Sequence, residues 1–104
     1  MTRLEDFYHR HIDLTGERQR HIENDHPEMA GQIEKIKQTL LEPEQIVRSR
    51  IDPEVELFYR YYDNTPVSEK YLCVVLKTLI DRRFIITAYF TDTVKEGQVL
   101  WEKR

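Results

Sequence analysis

The side chains able to move a proton or hold a phosphate are few, and their spacing is informative. His21 and His26 flank Glu23-Asn24-Asp25. An imidazole titrates near neutral pH, so either histidine suits general acid/base work. Lys77 closes the apolar run Leu72-Cys73-Val74-Val75-Leu76, a placement that puts one cation on a strand otherwise built for burial. Thr87 and Tyr89 alternate along Phe84-Ile85-Ile86-Thr87-Ala88-Tyr89 and so share a strand face. Arg48 and Arg60 stand in neighbouring strand-like segments. The chain has no HExxH and no Cys/His set at zinc spacing. His9 and His11 would share one face of a strand, which is a weak metal signal, and no metal or other cofactor is expected. Ser-His-Asp order, a CxxC pair and a glycine-rich phosphate loop are also missing, and Gly16, Gly31 and Gly97 are the only glycines. The remaining groups fit RNA cleavage without a metal. A base takes the 2′-OH proton, an acid protonates the leaving oxygen, cations stabilise the phosphorane, and tyrosines stack bases.

Composition limits the chain that must position these groups. At 104 residues it is long enough for one domain and too short for two, so residues 1–104 are read as a single unit. Sixteen Lys plus Arg against nineteen Asp plus Glu give a net charge of -3, which excludes coating nucleic acid by charge alone. No apolar run approaches the roughly 20 residues a membrane helix needs. The single cysteine, Cys73, cannot form an intramolecular disulfide, and its apolar neighbours predict a buried, inert thiol. Residues 1–6 lack a signal-peptide pattern, so a soluble cytoplasmic protein is expected.

Two characters divide the chain. Residues 14–42 read as helical. Thr15 can cap a first helix that runs to about Asp25 and is polar almost all round, with Ile22 its main apolar residue. Pro27 suits the start of a second helix, whose Met29, Ile33, Ile36 and Leu40 form one stripe. Residues 45–101 read as strands at 45–51, 55–62, 71–78 and 84–91, with Val99-Leu100-Trp101 as an edge. Short joints favour an antiparallel meander, because parallel neighbours each need a long crossover. The predicted fold is α+β, with N-terminal helices packed on one face of a four- or five-stranded antiparallel meander. Residues 7–12 fit an edge strand or a short helix equally well.

Alternation predicts which side chains remain open. If Phe84, Ile86, Ala88 and Phe90 face the helices, Thr87, Tyr89 and Thr91 face outward, with Lys77 and Arg60 beside them. Plain structural roles account for the same residues: Lys77 and Arg60 as solubilising charges, His21 as a surface residue, His26 as a helix cap.

The strings His21-Ile22, His26-Pro27-Glu28-Met29, Leu41-Glu42-Pro43-Glu44-Gln45-Ile46-Val47, Leu72-Cys73-Val74-Val75-Leu76-Lys77 and Phe84-Ile85-Ile86-Thr87-Ala88-Tyr89 resemble small bacterial and phage proteins. These belong to the barnase–EndoU–colicin–RelE-like nuclease superfamily. The resemblance covers most of residues 18–91, and the helix junction and the Ile-Thr-Ala-Tyr strand are its most specific parts. It implies N-terminal helices on a four-stranded antiparallel meander and a metal-independent, toxin-like endoribonuclease leaving a 2′,3′-cyclic phosphate. It further implies His21 as general acid or base, Lys77 as the phosphate-stabilising cation, and Thr87 and Tyr89 as substrate-orienting groups. Arg48, Arg60 and His26 would bind substrate. RNA is then the expected partner, with a protein inhibitor or antitoxin alongside. The net acidity departs from the basic character common in such toxins and calls for a local positive patch. The alternative is a non-catalytic binding module or decayed nuclease, using Tyr59, Tyr61, Tyr62 and Trp101 as anchors on the open sheet face. Pairing of the Trp101 edge with a second copy would make a dimer.

Overall fold

A computed structural model describes residues 2–104. The chain begins with a hairpin, β1 (Thr2–Glu5) and β2 (His11–Leu14), and continues into helix α1 (Gly16–Asp25), a 3-10 turn (Pro27–Met29) and helix α2 (Ile33–Leu41). Five strands follow: β3 (Gln45–Ser49), β4 (Val55–Tyr62), β5 (Lys70–Thr78), β6 (Arg83–Thr91) and β7 (Gly97–Glu102). They form one seven-stranded sheet in the order β1-β2-β6-β5-β4-β3-β7. The α+β class and the N-terminal helices agree with expectation. The four- or five-stranded antiparallel meander does not. The meander β3-β4-β5-β6 is present, but a hairpin extends one side, β7 extends the other, and β2 runs parallel to β6. A long crossover does connect that parallel pair: it consists of everything from α1 to β5. No helix among the described residues is long and apolar enough to cross a membrane.

Local sequence explains the elements. Thr15 caps α1 by accepting the Arg18 amide at 3.0 Å. The second helix is shorter than its stripe suggested. Met29 lies in the 3-10 turn, and Gly31 then takes φ +75, a left-handed conformation that separates the turn from α2. Residues 7–12 are neither alternative alone. Residues 6–10 form the tip of the β1–β2 hairpin, where Asp6 Oδ1 accepts the amides of Tyr8 at 2.9 Å and Arg10 at 3.0 Å. His9 occupies φ 64 in that turn, so it does not share a strand face with His11.

The sheet has two apolar faces. One carries Ile12, Leu14, Ile46, Phe58, Leu72, Val74, Leu76, Ile85 and Ala88, packed under Ile22, Met29, Ile36 and Leu40 of the helical segment. On this side the tip of the β1–β2 hairpin meets β7, since Phe7 lies 4.4 Å, centroid to centroid, from Trp101. Arg10 ties the hairpin down further, donating to Asp6 Oδ2 and to Glu56 Oε1 of β4 at 2.7 Å each. A register shift between Val75 and Leu76 alters the alternation expected for β6. It sends Ile85 into the helix-side core and Ile86 to the opposite face. Ala88 and Phe90 keep the predicted side, and Thr87 and Tyr89 remain outward.

Candidate functional site

The face away from the helices is half covered. Val47, Leu57, Tyr59, Cys73 and Val75 form its buried centre. The segment between β6 and β7 folds across them, and Lys95 donates its backbone N–H to the Tyr59 hydroxyl at 3.1 Å. Beside this arm lies a groove of about 370 Å³, lined by Arg50, Leu57, Val75, Thr87, Tyr89 and Lys95 among others. Register explains why these residues meet: Val75 pairs with Leu57 and Thr87, while Cys73 pairs with Tyr59 and Tyr89.

Tyr89 is the meeting point. Its ring lies 5.5 Å from the His26 ring, which arrives from the junction of α1 and the 3-10 turn. The Lys95 ammonium sits 6.0 Å from the centre of the same ring. Tyr89 and Tyr59 flank Cys73 on the neighbouring strands, and burial pushes both phenols well above their ordinary range. Burial likewise raises the Cys73 thiol to about 11. Tyr89 therefore offers its ring and keeps its hydroxyl inside. His26 has Glu28 beside it, with Nδ1 3.7 Å from Oε1, so a carboxylate stands ready to stabilise an imidazolium.

The sequence-predicted residues divide into three groups. Lys77, Thr87 and Tyr89 share the open face, and His26 joins them at its edge. Lys77 is already engaged, its Nζ lying 2.6 Å from Asp52 Oδ2 and 3.3 Å from Glu54 Oε1. These contacts raise its pKa, chiefly through the Asp52 bond. His21 lies on the exposed side of α1, where its nearest charged neighbour is Glu17 at 3.7 Å. Arg48 and Arg60 lie on the helix side: Arg48 stands opposite Glu56, and Arg60 opposite Leu72. Arg60 donates to the Glu42 carbonyl at 2.6 Å. Sequence reasoning missed Lys95, because Lys95-Glu96-Gly97-Gln98 carries only the signal of a polar turn. It named His26 as a substrate-binding candidate with a helix cap as the plain alternative, and the 3-10 turn has no side-chain cap bond from it.

The aromatic anchors named for a binding surface are mostly committed elsewhere. Tyr59 is 0% exposed, Trp101 packs on Phe7, and Tyr62 bonds to the Lys35 carbonyl on the helix side at 3.1 Å. Tyr61 alone of the four is exposed. Among the described residues, no three His, Cys, Asp or Glu side chains group to hold a metal ion. No family of known proteins, no curated protein and no solved structure matches this chain.

Proposed function

We propose that the protein is a metal-independent endoribonuclease acting on single-stranded RNA at the open-face groove. The observation that supports this reading is the approach of both His26 and Lys95 to Tyr89, which lines a groove together with Arg50, Thr87 and Glu96. In this reading His26 Nε2 takes the proton from a 2′-OH. The freed oxygen attacks phosphorus, the P–O5′ bond breaks, and the departing 5′ oxygen takes a proton from Lys95. The products are a 2′,3′-cyclic phosphate and a 5′-hydroxyl, and solvent restores both protonation states. Glu28 stabilises the imidazolium as it forms. Thr87 orients the phosphate, and the Tyr89 ring holds a base or the imidazole in place. Lys77 acts with lower strength, because two carboxylates already neutralise it.

The test is incubation of the purified chain with single-stranded RNA in EDTA, followed by analysis of the fragment ends. Cyclic-phosphate ends that disappear in His26→Ala and fall strongly in Lys95→Ala support the reading. Cleavage that is absent, or that survives His26→Ala while failing in His21→Ala, overturns this assignment.

A binding module is favoured by a separate observation. Ile51 and Ile80, on the β3–β4 and β5–β6 loops, are 95% and 102% exposed. Both loops lie at the same end of the sheet, where the Thr78 amide bonds to the Glu54 carbonyl at 2.7 Å. Exposed apolar side chains clustered at one end suit contact with another protein, such as an inhibitor. Retention of a stable protein partner by the native chain, lost in Ile51→Ser with Ile80→Ser, together with absent RNA cleavage, selects this reading.

A further inference from the structure

A second recess lies away from the groove, where the start of α1 meets the start of β6. It has a volume of about 250 Å³ and is lined by Asp13, Thr15, Arg18, Arg82, Phe84 and Ile85. Arg10, Arg50, Lys70 and Lys77 each lie against a carboxylate. Arg18 and Arg82 have no such partner among the described residues, yet two separate elements bring them to one cavity. The Arg82 guanidinium lies over the Phe84 ring, 4.8 Å from its centre. A cation placed on an aromatic face keeps its in-plane N–H donors free for a planar or tetrahedral anion. The same recess carries a carboxylate, Asp13, whose contact with Arg3 is a loose 4.0 Å. A cavity with two guanidiniums, an aromatic ring and an acceptor-only carboxylate asks for a ligand with three parts. These are an anion, a flat apolar surface and hydroxyl or amino donors.

We propose that this recess binds a nucleoside monophosphate unit. The phosphate lies between Arg18 and Arg82, the ribose hydroxyls donate to Asp13, and the base packs along Phe84 and the stacked guanidinium. The unit comes either from a free nucleotide or from one residue of an RNA strand. Only the second source rests on the ribonuclease reading above. In that case the recess holds a nucleotide at a distance from the scissile bond, with the strand running along β6 toward Tyr89.

The experiment is a titration of isotope-labelled protein followed by amide resonances, with adenosine 5′-monophosphate, adenosine and inorganic phosphate as separate probes. The monophosphate is expected to shift Thr15, Arg18, Arg82 and Phe84. Arg18→Ala and Arg82→Ala should each weaken it by about tenfold, the usual scale of one lost charge-assisted bond. Adenosine and inorganic phosphate should each bind more weakly than the monophosphate. Both arginines are exposed, so the variants are expected to fold. Absent shifts at millimolar monophosphate, unchanged affinity in both variants, or phosphate binding as tightly as the nucleotide would overturn the proposal. A hexanucleotide RNA added to the His26→Ala protein separates the sources. Shifts that extend to Thr87, Tyr89 and Lys95 place an RNA strand across both sites. Shifts confined to the recess support a free-nucleotide site and count against the ribonuclease reading alone.

Discussion

Replacing Arg10 by Met should cost the β1–β2 hairpin much of its anchorage to the sheet. Arg10 donates from Nε to Asp6 and from Nη2 to Glu56, at 2.7 Å each. Asp6 is 0% and Glu56 7% exposed, so water replaces neither bond. The two carboxylates differ in what remains to them. Asp6 keeps the Tyr8 and Arg10 amides. Glu56 has no other hydrogen-bond donor among the described residues, and would keep only Arg48, opposite it on β3, as a neighbouring cation. Breaking a buried ion pair by removing one partner costs roughly 3–5 kcal/mol. The Arg10 side chain is 21% exposed, and the retained Asp6 amides limit the loss, which puts the expectation near the low end, about 3 kcal/mol. Against a total stability of roughly 5–15 kcal/mol that is a large fraction. Urea unfolding followed by circular dichroism measures it as a lower midpoint at unchanged slope. Glu56→Met should cost less in the Arg10→Met background than alone, with a coupling of about 1–3 kcal/mol. If Arg10→Met lies within about 0.5 kcal/mol of the parent, the pair is solvated and the reasoning fails.

Other expectations concern the open face and its margins. Cys73 should resist thiol reagents in the folded protein at pH 8 and react only on unfolding. Its folded pKa of about 11 exceeds the ordinary 9.0, so stability should decline as pH rises from about 9 to 11, and Cys73→Ala should flatten that decline. Asp52 is held below its ordinary 3.8, first by the Lys77 bond and then by the Glu54 amide. That contribution is present above the unfolded pKa and is lost as pH falls through the folded one. Melting temperatures of parent and Asp52→Asn should therefore differ at neutral pH and converge in acid below about 3.8. Gly97→Ala would drive a Cβ into the Arg48 carbonyl oxygen and to 2.7 Å from Val47 Cγ1. It should cost about 1–3 kcal/mol in the same urea assay. It should also shift the Lys95 amide resonance, because the arm that carries Lys95 is anchored there.

Much of the sheet was readable because its central strands are long and apolar. Val55–Tyr62 was bounded correctly, and the strands at 71–78 and 84–91 were each one residue short at the start. The outer hairpin was not readable. Thr2–Glu5 and His11–Leu14 are four-residue strands in which charges alternate with Leu4, Ile12 and Leu14, too short a pattern to separate from helix or loop. The parallel β2–β6 pairing involves the single register Asp13 with Phe84, and no local signal marks it. Parity placed Lys77, Thr87 and Tyr89 on one face, since the bulge falls at Ile86 and spares them. It failed for Arg60, whose partner Leu72 belongs to the helix-side core. Periodicity also cannot report that Asp52 and Glu54 occupy Lys77, because that contact depends on where the β3–β4 loop folds.

The contact between Phe7 and Trp101 has a consequence for the order of assembly. The hairpin that bears Phe7 is local, but apart from α2 the surfaces it docks on belong to β4, β6 and β7. Its docking must therefore wait for the central meander, and loop closure across nearly the whole described chain precedes its reward. Refolding should show this as a late step, with far-UV signal recovered before Trp101 fluorescence. During that delay the helix-side core lies open along one margin, which makes the interval between the two signals the period of greatest aggregation risk.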